Sequence, residues 1–343
     1  MFTKVIHDSL YAKALAFDNG KQRFVFIVVD CTAIDGELLD ETKKILKKSL
    51  GLYSGQIMIS STHAHSCGAV MRLVSCPADL LYRLAKPQKI ANAAIVAFNN
   101  LQPAKIGWGH IDVPKHVSCR RWYMKPGFNT ISPFGDTDKV WMNPPKGSEF
   151  NDRPVSPTDP QVSYLAVKNI NGNWLSIMAK YSTHYVADIP ENTISADYFG
   201  ELHNRLQNKL GADESFVGIM TNDTSGDVNT FDFKLEKNYP AGPFQKTNLI
   251  ANDIADSIVH TIKSIKWQTN PLFKFGYKEV KTAGRPIPAE LLAQCKKLVV
   301  GTDFNSISSI DKASDAVARL SALCVVELDE YKKPYLNIPF QAI

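Results

Sequence analysis

Gln22-Arg23-Phe24-Val25-Phe26-Ile27-Val28-Val29-Asp30 decides the fold class. Its centre is apolar at every position from Phe24 to Val29 rather than at alternate ones, so both faces of the strand it forms must be covered. That pattern predicts a central strand with helices on both sides. Upstream, residues 11–17 make its hairpin partner, because Asn19-Gly20 in the connecting Asp18-Asn19-Gly20-Lys21 supplies the positive φ of a tight turn. Downstream, Leu38, Leu39, Ile45, Leu46 and Leu50 recur at helical spacing across residues 37–50, and residues 56–60 read as another short buried strand. Together these segments form a β-α-β unit.

The alternation continues along the chain. Residues 78–99 read as helix, which Pro87 must kink or divide. Residues 120–160 are rich in Pro, Gly, Asn and Asp and read as one long irregular loop, kept packed by Trp122, Tyr123 and Trp141. Strands follow at 161–168, 174–182 and 215–221, with helices at 197–210 and 245–265. Beyond Pro271 come an extended stretch, helices near 290–299 and 313–322, and a last segment at 335–343. The expected fold class is α/β, a layered mixed β-sheet core flanked by helices, with the active site in loops at the carboxyl ends of strands.

At 343 residues and 44% hydrophobic content the chain can bury a sizeable core, which excludes a disordered protein. No apolar run approaches the ~20 residues of a spanning helix. Lys and Arg outnumber Asp and Glu 39 to 34, but the lysines are scattered and not interleaved with aromatics, so nucleic acid is not an expected partner. The six cysteines show no C-x-x-C spacing and are expected to be buried free thiols. Residues 1–10 carry no apolar h-region, so no secretory signal is expected in them.

Three polar segments directly follow predicted strands: 61–66, 183–185 and 222–229. Ligand crevices of open α/β sheets lie beyond such strand ends, so the three loops are expected to converge. In Ser61-Thr62-His63-Ala64-His65-Ser66, an extended backbone would turn both imidazoles to one side, where they suit zinc or proton transfer. His184 is placed to add a ligand from a neighbouring loop, whereas His7, His110, His116, His203 and His260 lie in no comparable context. Asn222, Asp223, Ser225, Gly226 and Asp227 form a loop suited to holding a polar substrate, with an Asx-type turn as the plainer alternative. Ser195 and Asp197 are placed to cap a helix. Arg120 or Arg121, beside Trp122 and Tyr123, is a candidate oxyanion donor.

Five segments in this order resemble the neutral/alkaline, non-lysosomal ceramidase family: Asp8 to Leu15, Ser61 to Ser66, Cys119-Arg120-Arg121, Ile194 to Gly200, and Ser225-Gly226-Asp227-Val228-Asn229. The resemblance implies a zinc-dependent amidase that hydrolyses N-acylsphingosine to sphingosine and a fatty acid, with zinc-bound water as nucleophile. It implies His63 and His184 as zinc ligands, His65 as general acid/base, and Arg120 holding the substrate or its oxyanion. It also implies an amphiphilic N-acyl amide partner, transient contact with a membrane surface, a role in sphingolipid metabolism and a secreted or periplasmic location. Ala64, Cys67 and Asn229 depart from the family's H-T-H-S-G and G-D-V-S-P-N motifs. Residues 1–270 are the expected ceramidase-like catalytic core. Residues 271–343 are expected to be an incomplete C-terminal part of the same domain, with the family's glutamate and tyrosine ligands falling beyond Ile343. The alternative from another class is a catalytically silent ligand-binding homologue without a complete zinc site.

Overall fold

β1 (Ala12–Asp18) and β2 (Arg23–Val29) pair antiparallel, and β2 pairs in parallel with β3 (Ile57–Ser61). The structure is a computed structural model that describes residues 3–73, 76–132, 134–186, 188–304, 314–331 and 335–342. The β1–β2 turn is held as its composition predicts: Gly20 takes φ 79°, and Asn19 Oδ1 accepts from the backbone N–H groups of Lys21 and Gln22 at 3.1 and 2.7 Å. Helix α1 (Gly36–Leu50) crosses between β2 and β3, opened by Asp35, whose carboxylate accepts from Leu38 N, and closed by left-handed Gly51. Helix α2 (Leu80–Asn99) is one uninterrupted helix with Pro87 inside it, not two.

Alternate side chains of β2 separate two cores. Val25, Ile27 and Val29 pack with Leu38 and Leu46 of α1 and with Ile90, Ala91 and Ala94 of α2. On the other face, Val28 and Leu15 meet Val167 and Ile219 of a second sheet. Helices on both sides of the central strand were expected, but a second sheet takes one side. A wholly apolar run reports that both faces are covered and is silent about the covering element.

That second sheet holds β4 (Ala104–Asp112), β5 (Gln161–Asn169), β6 (Trp174–Tyr181) and β7 (Val217–Asn222) in the order β7-β6-β5-β4. β6 and β7 run parallel, while β4–β5 and β5–β6 are antiparallel. Its outer face, including Val162, Ala166, Ile177 and Ala179, buries Leu202 and Leu206 of α3 (Asp197–Leu210) and Ile250, Ile254 and Ile258 of α4 (Gln245–Thr261). The layers therefore run helices, sheet, sheet, helices, a layered mixed α/β fold.

Strand β4 was not anticipated. Gly107 and Gly109 interrupt its pattern because the strand lies close to its neighbours: a Cβ at Gly109 would stand 2.5 Å from Tyr164 Oη. Residues 120–160 are also not one irregular loop, for Arg121–Met124 pairs on either side with Val140–Met142 and Asn151–Pro154. Trp122 fixes this small sheet, buried and donating from Nε1 to the Cys119 carbonyl at 2.8 Å.

Beyond residue 270, β8 (Gly276–Ala283) pairs antiparallel with β9 (Tyr335–Ala342), and Gln341 Nε2 donates to the Gly55 carbonyl at 2.8 Å. Helices α5 (Ala289–Val299) and α6 (Ser314–Glu330) pack around Cys295, Ala322 and Val326, with Phe134 against them. Helix α6 runs eight residues past the expected end at 322, while Ala313 and Ile343 lie outside the described residues. Cys31, Cys119 and Cys295 are buried free thiols as expected, but Cys76 and Cys324 are exposed. No helix among the described residues is long and apolar enough to cross a membrane.

Candidate metal centre

Each half of the site follows a parallel strand pair. Val29 ends β2, and the chain continues through Cys31 and Thr32; Ser61 ends β3, and the chain continues into His63. Backbone bonds carry the pairing beyond the strands, from Thr62 N to Val29 O and from His63 N to Cys31 O, both at 3.0 Å. Thr32 Oγ1 donates to the Ala64 carbonyl at 2.9 Å, and the Thr32 carbonyl lies 2.7 Å from His63 Nδ1. The loop is not extended, since His63 has φ 64° in the left-handed region. The imidazoles of His63 and His65 nevertheless meet, with their Nε2 atoms 3.3 Å apart.

The second half repeats the arrangement. His184 follows β6, and its Nδ1 lies 2.9 Å from the carbonyl of Ser225, which follows the parallel neighbour β7. Thr183 anchors this loop, its hydroxyl donating to the His116 carbonyl at 2.5 Å and its own carbonyl accepting from Tyr198 Oη at 3.0 Å. The two halves are joined directly, because Asn222 Nδ2 donates to the Thr62 carbonyl at 2.6 Å.

His63, His65 and His184 bring their ligand atoms within 4.8 Å of one another. In His63 and His184 the Nδ1–H donates to a backbone carbonyl, which fixes the tautomer and leaves the Nε2 lone pair free for a ligand. Burial, with the nearby charges of His63, His184 and Arg120, pushes His65 down to about 4. Burial likewise lowers His184 to about 4, against the bond to Ser225 that raises it and with Arg120 and His63 lowering it further. Both rings are therefore uncharged at neutral pH, the form a metal requires.

The donor set fits a metal that takes imidazole ligands, zinc among them. Two nitrogens each ~2.0–2.1 Å from a tetrahedral zinc stand about 3.3 Å apart, as the Nε2 atoms of His63 and His65 do. Unpartnered buried polar atoms also collect on these loops, at Ser182 Oγ, Asn222 Oδ1 and Arg120 Nε. Arg120 belongs to the site: its Nη2 donates to the Gly226 carbonyl at 2.5 Å, and its charge reaches His65 and His184.

The other singled-out residues take defined places. Asp223 pairs with Lys180, and Asp227 Oδ2 accepts from Ser156 Oγ at 3.2 Å, while its carbonyl accepts from Arg120 N at 2.8 Å. The side chains of Asn222, Asp223 and Asp227 thus hold the loops together. Ser195 and Asp197 do cap α3, Ser195 Oγ accepting from Asp197 N at 3.0 Å and Asp197 Oδ1 from Tyr198 N at 2.6 Å. Asp8 completes the cap, accepting from Ser195 Oγ and Ala196 N, both at 2.6 Å.

Sequence reasoning missed three participants. Thr32 sits at the end of the central strand, where the strand-end rule would have found it. Tyr185, in the expected 183–185 loop but given no role, stacks its ring on His65 with centroids 3.6 Å apart, a contact no local pattern signals. His116 is fully buried between Tyr239 Oη, 2.8 Å from its Nδ1, and Asp253 Oδ2, 3.0 Å from its Nε2; both partners are more than 100 residues away in sequence.

No family model matches the sequence. Two solved structures share its architecture. The neutral ceramidase from Pseudomonas aeruginosa superposes with a TM-score of 0.55 at 18% identity, over 77% of this chain and 40% of that one. A ceramidase complexed with C2 gives a TM-score of 0.59 at 18% identity, over 82% and 42%. The chain thus spans about two fifths of their length, and what it carries is a neutral ceramidase-like α/β fold.

Proposed function

We propose that this chain carries the histidine centre of a zinc-dependent hydrolase acting on the linear amide of an amphiphilic N-acyl substrate, of ceramidase type. The observation that carries this reading is the convergence of His63, His65 and His184, with two of the rings held at Nδ1 by backbone carbonyls. Zinc, when bound, lowers the pKa of a water to about 7 and polarises the amide carbonyl. His63 and His184 would hold it through Nε2. His65, neutral at pH 7, starts as a proton acceptor and would return the proton to the leaving amine. Arg120 adds fixed positive charge beside the rings, where a tetrahedral oxyanion develops, a contribution commonly worth ~3–4 kcal/mol per donor. Asn222, Asp223, Ser225, Gly226 and Asp227 shape the substrate side of the crevice.

The 3.3 Å separation of the His63 and His65 Nε2 atoms favours a second assignment, His65 as a third ligand. The two separate cleanly. His65→Gln keeps stoichiometric zinc but loses turnover if His65 carries the proton, and loses both if it is a ligand.

The deciding experiment measures zinc by mass spectrometry and hydrolysis of a fluorescent N-acyl amide in the wild type, His63→Ala and His184→Ala. Loss of both zinc and hydrolysis in each variant is the expected result. Unchanged zinc content in His63→Ala would remove the proposal. Saturable amide binding by the wild type, with no zinc and no turnover, would replace it with the ligand-binding homologue.

A further inference from the structure

Of the three imidazoles, His65 is held differently. His63 and His184 are fixed at Nδ1 by backbone carbonyls, whereas the hydrogen-bond neighbour of His65 among the described residues is His63 Nε2, at 3.3 Å. That nitrogen is the one His63 would give to a metal, so it does not also fix the plane of His65. His65 is exposed as well, which leaves its side-chain torsions free to turn unless another group confines them. The group that faces it is a ring. Tyr185 lies against the imidazole with centroids 3.6 Å apart and planes 17° from parallel, while His63 meets His65 edge-on at 4.7 Å.

The start of α3 keeps this pair in register. Tyr198 Oη donates to the Thr183 carbonyl and Val186 N donates to Asp197 Oδ2, both at 3.0 Å, so the segment carrying His184 and Tyr185 is pinned at both ends. Ser195 N donates to the Ser66 carbonyl at 2.8 Å, which ties the segment carrying His65 to the same turn. Asp197 is 2% exposed with φ 57°, a left-handed conformation that a non-glycine residue keeps only where its surroundings impose it. In that conformation one carboxylate accepts from both Tyr198 N and Val186 N, at 2.6 and 3.0 Å. One helix start therefore sets both members of the ring pair.

We infer that Tyr185 is a positioning residue for the proposed reaction, its ring holding the plane of the His65 imidazole so that Nε2 stays directed toward Nε2 of His63. The inference rests on the reading of His65 as proton carrier. Proton transfer needs donor and acceptor within ~2.6–3.2 Å, and a ring free to turn leaves that range. Packing is the plainer use of a half-buried tyrosine. It accounts for the burial of Tyr185 but not for a parallel stack on an exposed histidine, whose partner segments are both tied to one helix start.

The test reads the His65 ring and turnover separately, on the full chain. In protein carrying isotope-labelled histidine, with His65→Gln assigning the signals, the His65 ring protons should lie upfield of those of a free imidazole, because they sit over the face of Tyr185. The shift should persist in Tyr185→Phe and vanish in Tyr185→Leu, with or without zinc. In the zinc-loaded protein, Tyr185→Leu should keep stoichiometric zinc and an unchanged KM for a fluorescent N-acyl amide while kcat falls roughly 10–100-fold. Tyr185→Phe should recover most of that loss. Unshifted His65 protons in the wild type would overturn the inference, and this arm survives a variant that fails to fold. A phenylalanine as damaging as leucine would overturn it by assigning the effect to the hydroxyl. A raised KM at unchanged kcat would make Tyr185 a substrate contact, and loss of zinc in Tyr185→Leu would make His65 a ligand; either outcome overturns the inference. A wild type with the shift but no turnover would sink the amidase reading and this role with it, a failure distinct from turnover without the shift.

Discussion

The two sheets supply the metal centre by the same device in different surroundings. In the first sheet His63 follows β3, and the carbonyl that holds its Nδ1 follows the parallel neighbour β2, at Thr32. In the second sheet His184 follows β6, and its carbonyl follows the parallel neighbour β7, at Ser225. Parallel neighbours end side by side, so one strand can present an imidazole and the other the carbonyl that fixes its tautomer. The difference lies in bracing. The His63 loop is tied back by its own backbone and by Thr32 Oγ1, whereas the His184 loop relies on distant groups, His116, Tyr198 and Arg120. The first half takes most of its ties from the paired ends of β2 and β3, with Ser195 N adding one to the Ser66 carbonyl at 2.8 Å, and the second takes more of them from outside its own sheet.

If the halves are equal partners, His63→Ala and His184→Ala should each lose stoichiometric zinc, an effect larger than the ~10–100-fold that outer-partner losses produce. Competitive chelator titration checks this. Retention of zinc in one variant alone would make that half dispensable and break the symmetry.

Asn222 should come next in effect, as the residue whose side chain joins the halves. Asn222→Leu leaves the carbonyl of buried Thr62 without its donor, costing ~1–3 kcal/mol in stability. It should also weaken zinc ~10–100-fold while both histidines remain. Urea unfolding and chelator competition measure the two effects separately. A loss of stability with unchanged zinc affinity would show that each half holds its imidazole unaided.

The difference in bracing also explains what could be read from the sequence. The first half was legible because it is local: a wholly apolar β2, an Asn-Gly turn, the spacing of α1 and a histidine pair at a strand end all lie within residues 12–65. An extended backbone was expected to turn His63 and His65 to one side; the two rings do meet, but through a left-handed His63. The second half was legible only in part. His184 stood at a strand end, but β4 was concealed by Gly107 and Gly109, which are demanded by side chains remote in sequence. Likewise His116 has no local signature, because its meaning comes from Tyr239 and Asp253. Periodicity reports burial, and it cannot name the residue on the other side of the contact.

The close approach of α3 to β7 offers a break confined to the second half. A Cβ at Gly218 would stand 2.9 Å from His203 Cα, a backbone atom that cannot swing away. Gly218→Ala should therefore destabilise by ~1–3 kcal/mol, seen as a lower urea midpoint. Hydrogen exchange should rise in β6 and β7 more than in β2 and β3. Uniform loss of protection across both sheets would mean that they unfold as one unit and that the bracing does not divide them.

The last effect expected is a pH dependence at the same contact. Gly218 N donates to His203 Nδ1 at 3.0 Å, so the ring must keep that nitrogen unprotonated. Burial, aided by the charge of Lys13, pushes His203 down to about 4, against ~6.5 in an unfolded chain. Between those values the unfolded chain binds more protons, so this contribution is complete above pH ~6.5 and is lost as pH falls toward 4. His65 and His184 are also lowered to about 4 and push stability in the same direction, so the wild-type profile alone does not isolate His203. His203→Gln does, because a glutamine oxygen can accept from Gly218 N–H without titrating, while His65 and His184 are retained. The wild-type urea midpoint should fall more steeply than the variant's between pH 6.5 and 4, and the two should run parallel above pH 7. Coincident slopes throughout would mean that His203 takes up its proton as readily in the folded chain as in the unfolded one, which would place the pH sensitivity of the second half in the imidazole cluster itself.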